Sequence, residues 1–244
     1  MSNIFPFVQL KSFENGWRYS GKLKEFLKHK YHSSLAKIND SEIKKISTFL
    51  KGNVLESRIF KNFAWVLFLH PVPNLEIYIF CERSSKAGDN FTIFFGKGSS
   101  IIPVEEIYGF ALIYISMLAL IGKNSISTDK ILLSDKFIKF PEKHKGHSLL
   151  MKRQSVFTKP DMDKLIKNIG MFPIITDYNF SKDTIELIVK PVDNMVIKYI
   201  YNADSKKILI SETCMKIYPE NLIVSFASLI CKSIAREFSK VDKI

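Results

Sequence analysis

The feature that most restricts the fold of this chain is that it matches itself. PVPNLEIYIF (71–80) lies over PVDNMVIKYI (191–200), so Pro71, Val72, Asn74 and Ile77 meet Pro191, Val192, Asn194 and Ile197 at an offset of 120. IIPVEEIYGFA (101–111) lies over IYPENLIVSFA (217–227), where Ile101, Pro103, Ile107, Phe110 and Ala111 meet Ile217, Pro219, Ile223, Phe226 and Ala227 at an offset of 116. A four-residue deletion in the hairpin after Cys81 reconciles the two offsets. Upstream, SEIKKISTFLKG (41–52) lies over DMDKLIKNIGMF (161–172), again offset by 120. Ordered self-similarity on this scale marks repeated structural units.

Each copy reads as helix, four strands, helix. In the first, Ser41 is placed to cap a helix to about Leu50. Strands rich in Val, Ile, Phe and Tyr follow near 54–60, 64–70, 75–82 and 91–96. Pro103 opens a long helix, where its missing N–H costs nothing. The second copy has a helix near 161–169, strands near 172–178, 184–190, 194–201 and 207–211, and a last helix over 219–238. Short hairpin connections require antiparallel neighbours. The expected fold class is therefore α+β, a tandem duplication of an α-β-β-β-β-α unit with each antiparallel sheet packed against a long C-terminal helix. Residues 1–40 read as a basic, aromatic extension with a short helix at KLKEFLKHK (22–30). The first repeat is 41–122, and 123–159 is a basic connector with a possible strand in Lys130–Phe140. The second repeat is 160–244.

The two long helices differ. Ile107–Ile121 (IYGFALIYISMLALI) carries no charge, whereas its mate carries Lys232, Arg236 and Glu237. At 15 residues the apolar run is shorter than the roughly 20 that span a bilayer, so it reads as a helix buried in protein and no membrane span is expected. Ile107, Ala111, Tyr114 and Leu118 fall on one side and suit the helix's own sheet. Phe110, Ile113 and Leu120 lie opposite and predict a protein interface, with the other copy or, as the alternative, in a homodimer.

With 46% hydrophobic residues the chain is ordinary for a globular protein, but a net charge of +12 favours polyanionic partners. Cys81, Cys214 and Cys231 show no CxxC spacing and sit in apolar runs, which predicts buried thiols in a reducing, cytoplasmic setting. Met1–Leu10 has no basic start and no long apolar core, so no secretory signal is read there.

Catalytic signatures are missing. FFGKGSS (94–100) follows a strand, but it lacks the GxxxxGK-Ser/Thr pattern and precedes Glu105 and Glu106, so it reads as a turn. His29 with His32, and His144 with His147, are spaced by three without a neighbouring Cys or an HExxH pattern. There is no GxSxG elbow. Pro71, Asn74, Pro191 and Asn194 are turn residues. Neither a cofactor nor a metal is implied. The strongest signal is basic. Lys22, Lys24, Lys28 and Lys30 stand beside Phe26 and Tyr31, and Lys136, Lys139, Lys143, Lys145, Lys152 and Arg153 cluster in the connector. Lysines along a phosphate path with aromatics for stacking suit nucleic acid.

A tandem repeat of helix, four antiparallel strands and long helix is similar to the two-lobed saddle of the TATA-box-binding protein and to the helix–sheet–helix outline of secretion-chaperone folds. The likeness is one of topology, and no residue motif of either family is carried over. The sequence thus leads to a non-enzymatic binding protein that contacts nucleic acid or a nucleoprotein complex through a lysine-rich surface. A protein-binding scaffold or chaperone-like protein using apolar helix surface is one alternative. An enzyme with an unrecognised site is the other.

Overall fold

A computed structural model describes residues 7–56, 60–84, 88–131, 136–139, 159–181, 184–202 and 206–239. The chain divides into two compact units, Met1–Asp129 and Lys130–Ile244. The fold is α+β, with one five-stranded antiparallel sheet in each unit. In the first unit the elements are β1 (Phe7–Val8), α1 (Trp17–Glu25), a π-helical turn (Phe26–Tyr31), α2 (His32–Leu35), α3 (Ile43–Phe49), β2 (Gly52–Val54), β3 (Trp65–Leu69), β4 (Ile77–Glu82), β5 (Asn90–Gly96) and α4 (Val104–Gly122). In the second they are β6 (Phe137–Lys139), α5 (Lys159–Asn168), β7 (Ile175–Phe180), β8 (Thr184–Val192), β9 (Met195–Asn202), β10 (Lys206–Ser211), α6 (Glu212–Ile217) and α7 (Glu220–Ser239).

The two sheets have the same order, β1-β5-β4-β3-β2 and β6-β10-β9-β8-β7. Each therefore has a fifth strand that the sequence patterning left outside the repeat. It comes from upstream of the helices and pairs with the last strand of the meander. Register agrees as well as order. Leu69 faces Ile77 in β3–β4, and Val189 faces Ile197 in β8–β9, residues matched at the offset of 120. Val8 faces Phe95, and Ile138 faces Ile210. Phe7 faces Gly96, and Phe137 faces Ser211. Since Ile77 pairs with Phe95 and Ile197 with Ile210, the last hairpin is five residues shorter in the second unit, not four. The β2–β3 and β7–β8 pairs differ. Leu69 faces Gly52 whereas Val189 faces Ile175, and β7 carries an irregularity between Ile175 and Asp177.

Burial follows the strand alternation of period two. Leu67, Leu69, Ile77 and Ile79 are buried on one face of the first sheet, and Leu187, Val189, Ile197 and Tyr199 at the matching positions of the second. The matched helix positions Ile107 and Ile223, Phe110 and Phe226, and Ala111 and Ala227 are all 0% exposed. In the second unit the buried Tyr199 hydroxyl in β9 donates to the Ala227 carbonyl in α7 at 2.9 Å, which places that helix on this face. Each fully buried Leu, Ile or Phe contributes about 1.5–3 kcal/mol, so these positions dominate each unit's stability.

The charge-free stretch Ile107–Ile121 of α4 has a local explanation. By length and composition α4 could cross a membrane, but most of it is buried within the protein. Helices α1 and α2 and the π-helical turn pack along it. The Tyr31 hydroxyl lies 2.9 Å from Ser116 Oγ, Tyr19 donates to Glu105 Oε1 at 3.2 Å, and the Tyr19 and Tyr108 rings are 5.1 Å apart. Gly122 ends the helix where a Cβ would lie 2.0 Å from the Ser34 carbonyl oxygen, so only glycine lets α2 approach this closely.

Local details refine the expected elements. Asn39 caps the 3-10 turn Asp40–Glu42 that leads into α3, its side chain accepting from the Ser41 N–H at 3.1 Å, and Ser41 is not the capping residue. Asn74 has the left-handed φ of 64° that its turn requires, as read from the sequence. Asn194 also lies in a turn, but it is buried and its Oδ1 accepts from the Ile131 N–H at 3.3 Å. All three cysteines are buried and none forms a disulfide.

Candidate binding cleft

The helix that begins at Trp17 brings one face down on β5. Leu23 and Leu27 are four apart, so they share a side of the helix, and both are buried. The π-helical turn follows at Phe26–Tyr31 and contacts β5. Such turns are rare and recur at functional sites. His32 ends this run against the strand: its Nε2 donates to the Asp89 carbonyl at 2.8 Å, and its ring meets Phe91 edge-on at 5.7 Å. Arg83 braces the same corner. It donates to the Ala36 and Ile38 carbonyls at 3.2 and 2.6 Å, bonds Asp40 at 2.8 Å and pairs with Asp89.

Between helix and strand lies a cleft of about 680 Å³. Its floor is apolar, formed by Leu10, Leu23, Leu27, Phe91 and Ile93. Lys24 and Lys28 stand on the helix wall, one turn apart and exposed. Glu82, Asn90 and Thr92 line the sheet wall. Gln9 closes one end, and its Oε1 is buried with no hydrogen-bond partner among the described residues. An apolar floor with a few fixed polar groups is the usual character of a ligand site.

The strand wall has an open edge. The Gly96 N–H donates to the Glu76 carbonyl, so β5 residues in step with Gly96 turn their main-chain groups towards β4. The alternate residues, Phe95, Ile93 and Phe91, turn theirs to the other side. Among the described residues only Phe95 has a strand partner there, because β1 stops at Val8. Ile93 and Phe91 thus present an unpaired strand edge to the cleft.

The predicted nucleic-acid residues are dispersed. Lys24 and Lys28 line the cleft. Lys22 is exposed about 200° around the helix from Lys24. Lys30 Nζ lies 5.2 Å from the centres of both the Phe26 and Tyr31 rings. In the second unit Lys136 pairs with Glu212 at 3.7 Å, and Lys139 is exposed on the edge strand β6. Lys143, Lys145, Lys152 and Arg153 lie outside the described residues, as do His144 and His147. Of the predicted interface residues, Phe110 and Ile113 are buried and Leu120 is half-buried, on a helix that α1 and α2 cover in part.

The remaining motifs behave as structural elements. FFGKGSS runs from β5 into a 3-10 turn at Lys97–Ile101, and Glu76 lies so close to Gly96 that a Cβ there would fall 2.0 Å from its carboxylate. An anion would be repelled from that position. Among the described residues no three metal-ligating side chains come together. The cleft itself leaves little trace in the sequence. Its helix is visible as alternating lysines and leucines, but its walls join residues such as His32 and Asp89 that are far apart in the chain. Comparison with protein-family models, with curated proteins and with solved structures finds no match.

Proposed function

We propose that this chain is a binding protein and that its first unit holds a segment of another protein in the cleft between α1 and β5. The observation that carries this reading is the cleft's composition: an apolar floor between a lysine-bearing helix and a wall carrying Glu82. A phosphate path wants cations along both sides, whereas this cleft sets Lys24 and Lys28 on the helix wall and Glu82 on the sheet wall. A protein segment supplies both signs together with apolar side chains. Selection from a random-peptide display library against the full chain tests this. Selected peptides should lose binding in a Lys24→Glu, Lys28→Glu variant that melts like the wild type. Selected peptides indifferent to that double change would remove the cleft as the site.

A second reading, contact with nucleic acid, is favoured by a separate observation. Trp17 is 68% exposed at the start of the basic helix, with the Arg18 guanidinium 5.3 Å from its ring centre. An exposed indole beside a cation suits stacking on an unpaired base. Titration with a single-stranded oligonucleotide should then show an affinity that falls steeply with salt and drops in Trp17→Ala. Salt-independent or undetectable binding argues against it.

A further inference from the structure

The cleft's open strand edge says more about its ligand. We propose that the cleft takes an extended peptide that adds to the first sheet as a strand beside β5, with acidic side chains directed at Lys24 and Lys28. This rests on the reading of the cleft as a protein-binding site and goes further, since it fixes the conformation and charge of the bound segment.

Three observations carry the inference. The first is the edge itself. Beyond the Val8–Phe95 pair, Ile93 and Phe91 direct N–H and C=O groups into the cleft with no strand alongside among the described residues. Unpaired edges of this kind recruit another chain by main-chain hydrogen bonding, which gives affinity while alternate side chains give specificity. The stretch that lines the cleft, Asn90–Phe94, matches the length of a partner strand of about five residues at about 3.3 Å each. The second is Gln9, which directly follows β1 and whose buried Oε1 has no donor among the described residues. Buried acceptors are almost always satisfied, and a peptide N–H arriving along this edge supplies the missing donor.

The third observation is charge separated by face. Along β5 and β4, Phe91, Ile93 and Cys81 belong to one face of the sheet, and Asn90, Thr92 and Glu82 to the other. Lys24 and Lys28 rise from the helix whose Leu23 and Leu27 form the floor with Phe91 and Ile93. Neither lysine has an ion partner among the described residues. Asp89 is already held by Arg83, and Glu82 stands on the far face. In an added strand every second side chain points to the helix side. Those side chains meet two lysines above leucine methyls, which suits glutamate or aspartate. The intervening ones meet Thr92 and Phe94, which suits β-branched residues.

The test uses the full chain and the acetylated, amidated hexapeptide Glu-Val-Glu-Val-Glu-Val, followed by amide NMR. Saturable binding is expected, with hydrogen exchange at the Phe91 and Ile93 amides slowed at least about tenfold as the new ladder forms. A version N-methylated at alternate residues, and the peptide Lys-Val-Lys-Val-Lys-Val, should each bind at least about tenfold more weakly. The Lys24→Glu, Lys28→Glu variant should reverse the preference between the two charged peptides. If the acidic peptide shifts Leu23 and Leu27 signals but leaves Phe91 and Ile93 exchange unchanged, the cleft binds protein but not as an added strand. If that peptide shows no saturable binding while library-selected peptides still depend on Lys24 and Lys28, the strand proposal fails and the cleft reading stands. Failure of both peptide classes at the cleft overturns both.

Discussion

The two units share their sheet order, much of their register and the buried face of their sheets, and they differ on the opposite face. In the first unit that face is aromatic. Val66, Tyr78 and Phe80 are buried in a cluster with Phe7, Phe63, Phe68 and Phe94, and the rings of Phe7 and Tyr78 are 4.4 Å apart. The positions in the second unit matching all of these but Phe63 are Glu186, Lys198, Ile200, Phe137, Ile188 and Leu209. There Glu186 and Lys198 form a 2.8 Å ion pair, and Lys198 lies 5.9 Å from the centre of the Phe137 ring. The contrast separates what the fold needs from what each unit adds. The face buried in both units sets the topology, and the other face tolerates either an aromatic cluster or an ion pair on the same strands.

The largest expected effects lie in the shared part. Phe110→Ala and Phe226→Ala remove matched, fully buried rings and should each cost about 3–5 kcal/mol in denaturant unfolding. A near-zero cost at one of them would break the equivalence of the long helices. Ile113→Lys puts a charge on a buried position of α4 and should prevent the first unit from folding. A folded chain of reduced mass on sizing would instead locate Ile113 at a subunit contact.

Smaller effects should separate the two faces. Val66→Glu introduces an unpaired carboxylate into the aromatic cluster, and a loss of several kcal/mol is expected by chemical denaturation. Glu186→Val, the reverse exchange in the second unit, removes only a half-buried ion pair and should cost on the order of 1 kcal/mol or less. Equal costs would mean that the second face matters to folding in both units.

A third expectation concerns pH. Burial pushes the Cys81 thiol in β4 up to about 12 from an ordinary value near 9, and burial does the same to Cys214 in α6. Unfolding exposes thiols that ionise near pH 9, whereas the folded thiols hold their protons to higher pH. The native state therefore binds more protons in this window. The stability these groups contribute is complete below about pH 9 and is lost as pH rises towards 12. Thermal melts across that range should fall for both units, and a Cys81→Ala, Cys214→Ala variant should fall less. An identical decline in the variant would assign the effect to other groups. The smallest effect is expected from replacing Lys143, Lys145, Lys152 and Arg153 with Gln. Stability should change by less than about 0.5 kcal/mol, while heparin retention decreases if these charges meet a polyanion. Unchanged retention removes the connector from consideration.

How much of this was legible in the chain depends on the length of the pattern. The block at 71–80 and 191–200 carries its message because Ile77 and Ile197 occupy the same register in long central strands. The edge strands β1 and β6 span two and three residues, too short to show a period, and Phe7-Val8 and Phe137-Ile138 are recognisable as equivalents only once their partners are known. Local competition set the start of the 3-10 turn that leads into α3, where Asn39 bonds the Ser41 N–H. The helix at 22–30 was visible, but its role was not, because covering α4 and walling the cleft are tertiary contacts to residues about 50 or more positions away. Lysine runs in sequence also gave no hint that Lys22 and Lys24 point to opposite sides.

The central claim, two units of one topology closed by equivalent edge strands, is tested most directly by cross-strand NMR contacts in the full chain. Cα-proton and amide-proton contacts are expected for Val8 with Phe95 and for Ile138 with Ile210, with Phe7–Gly96 and Phe137–Ser211 adjoining them in the same antiparallel sense. Contacts at both edges in these registers uphold the claim. An edge strand paired with a different neighbour in either unit, or in parallel, contradicts it.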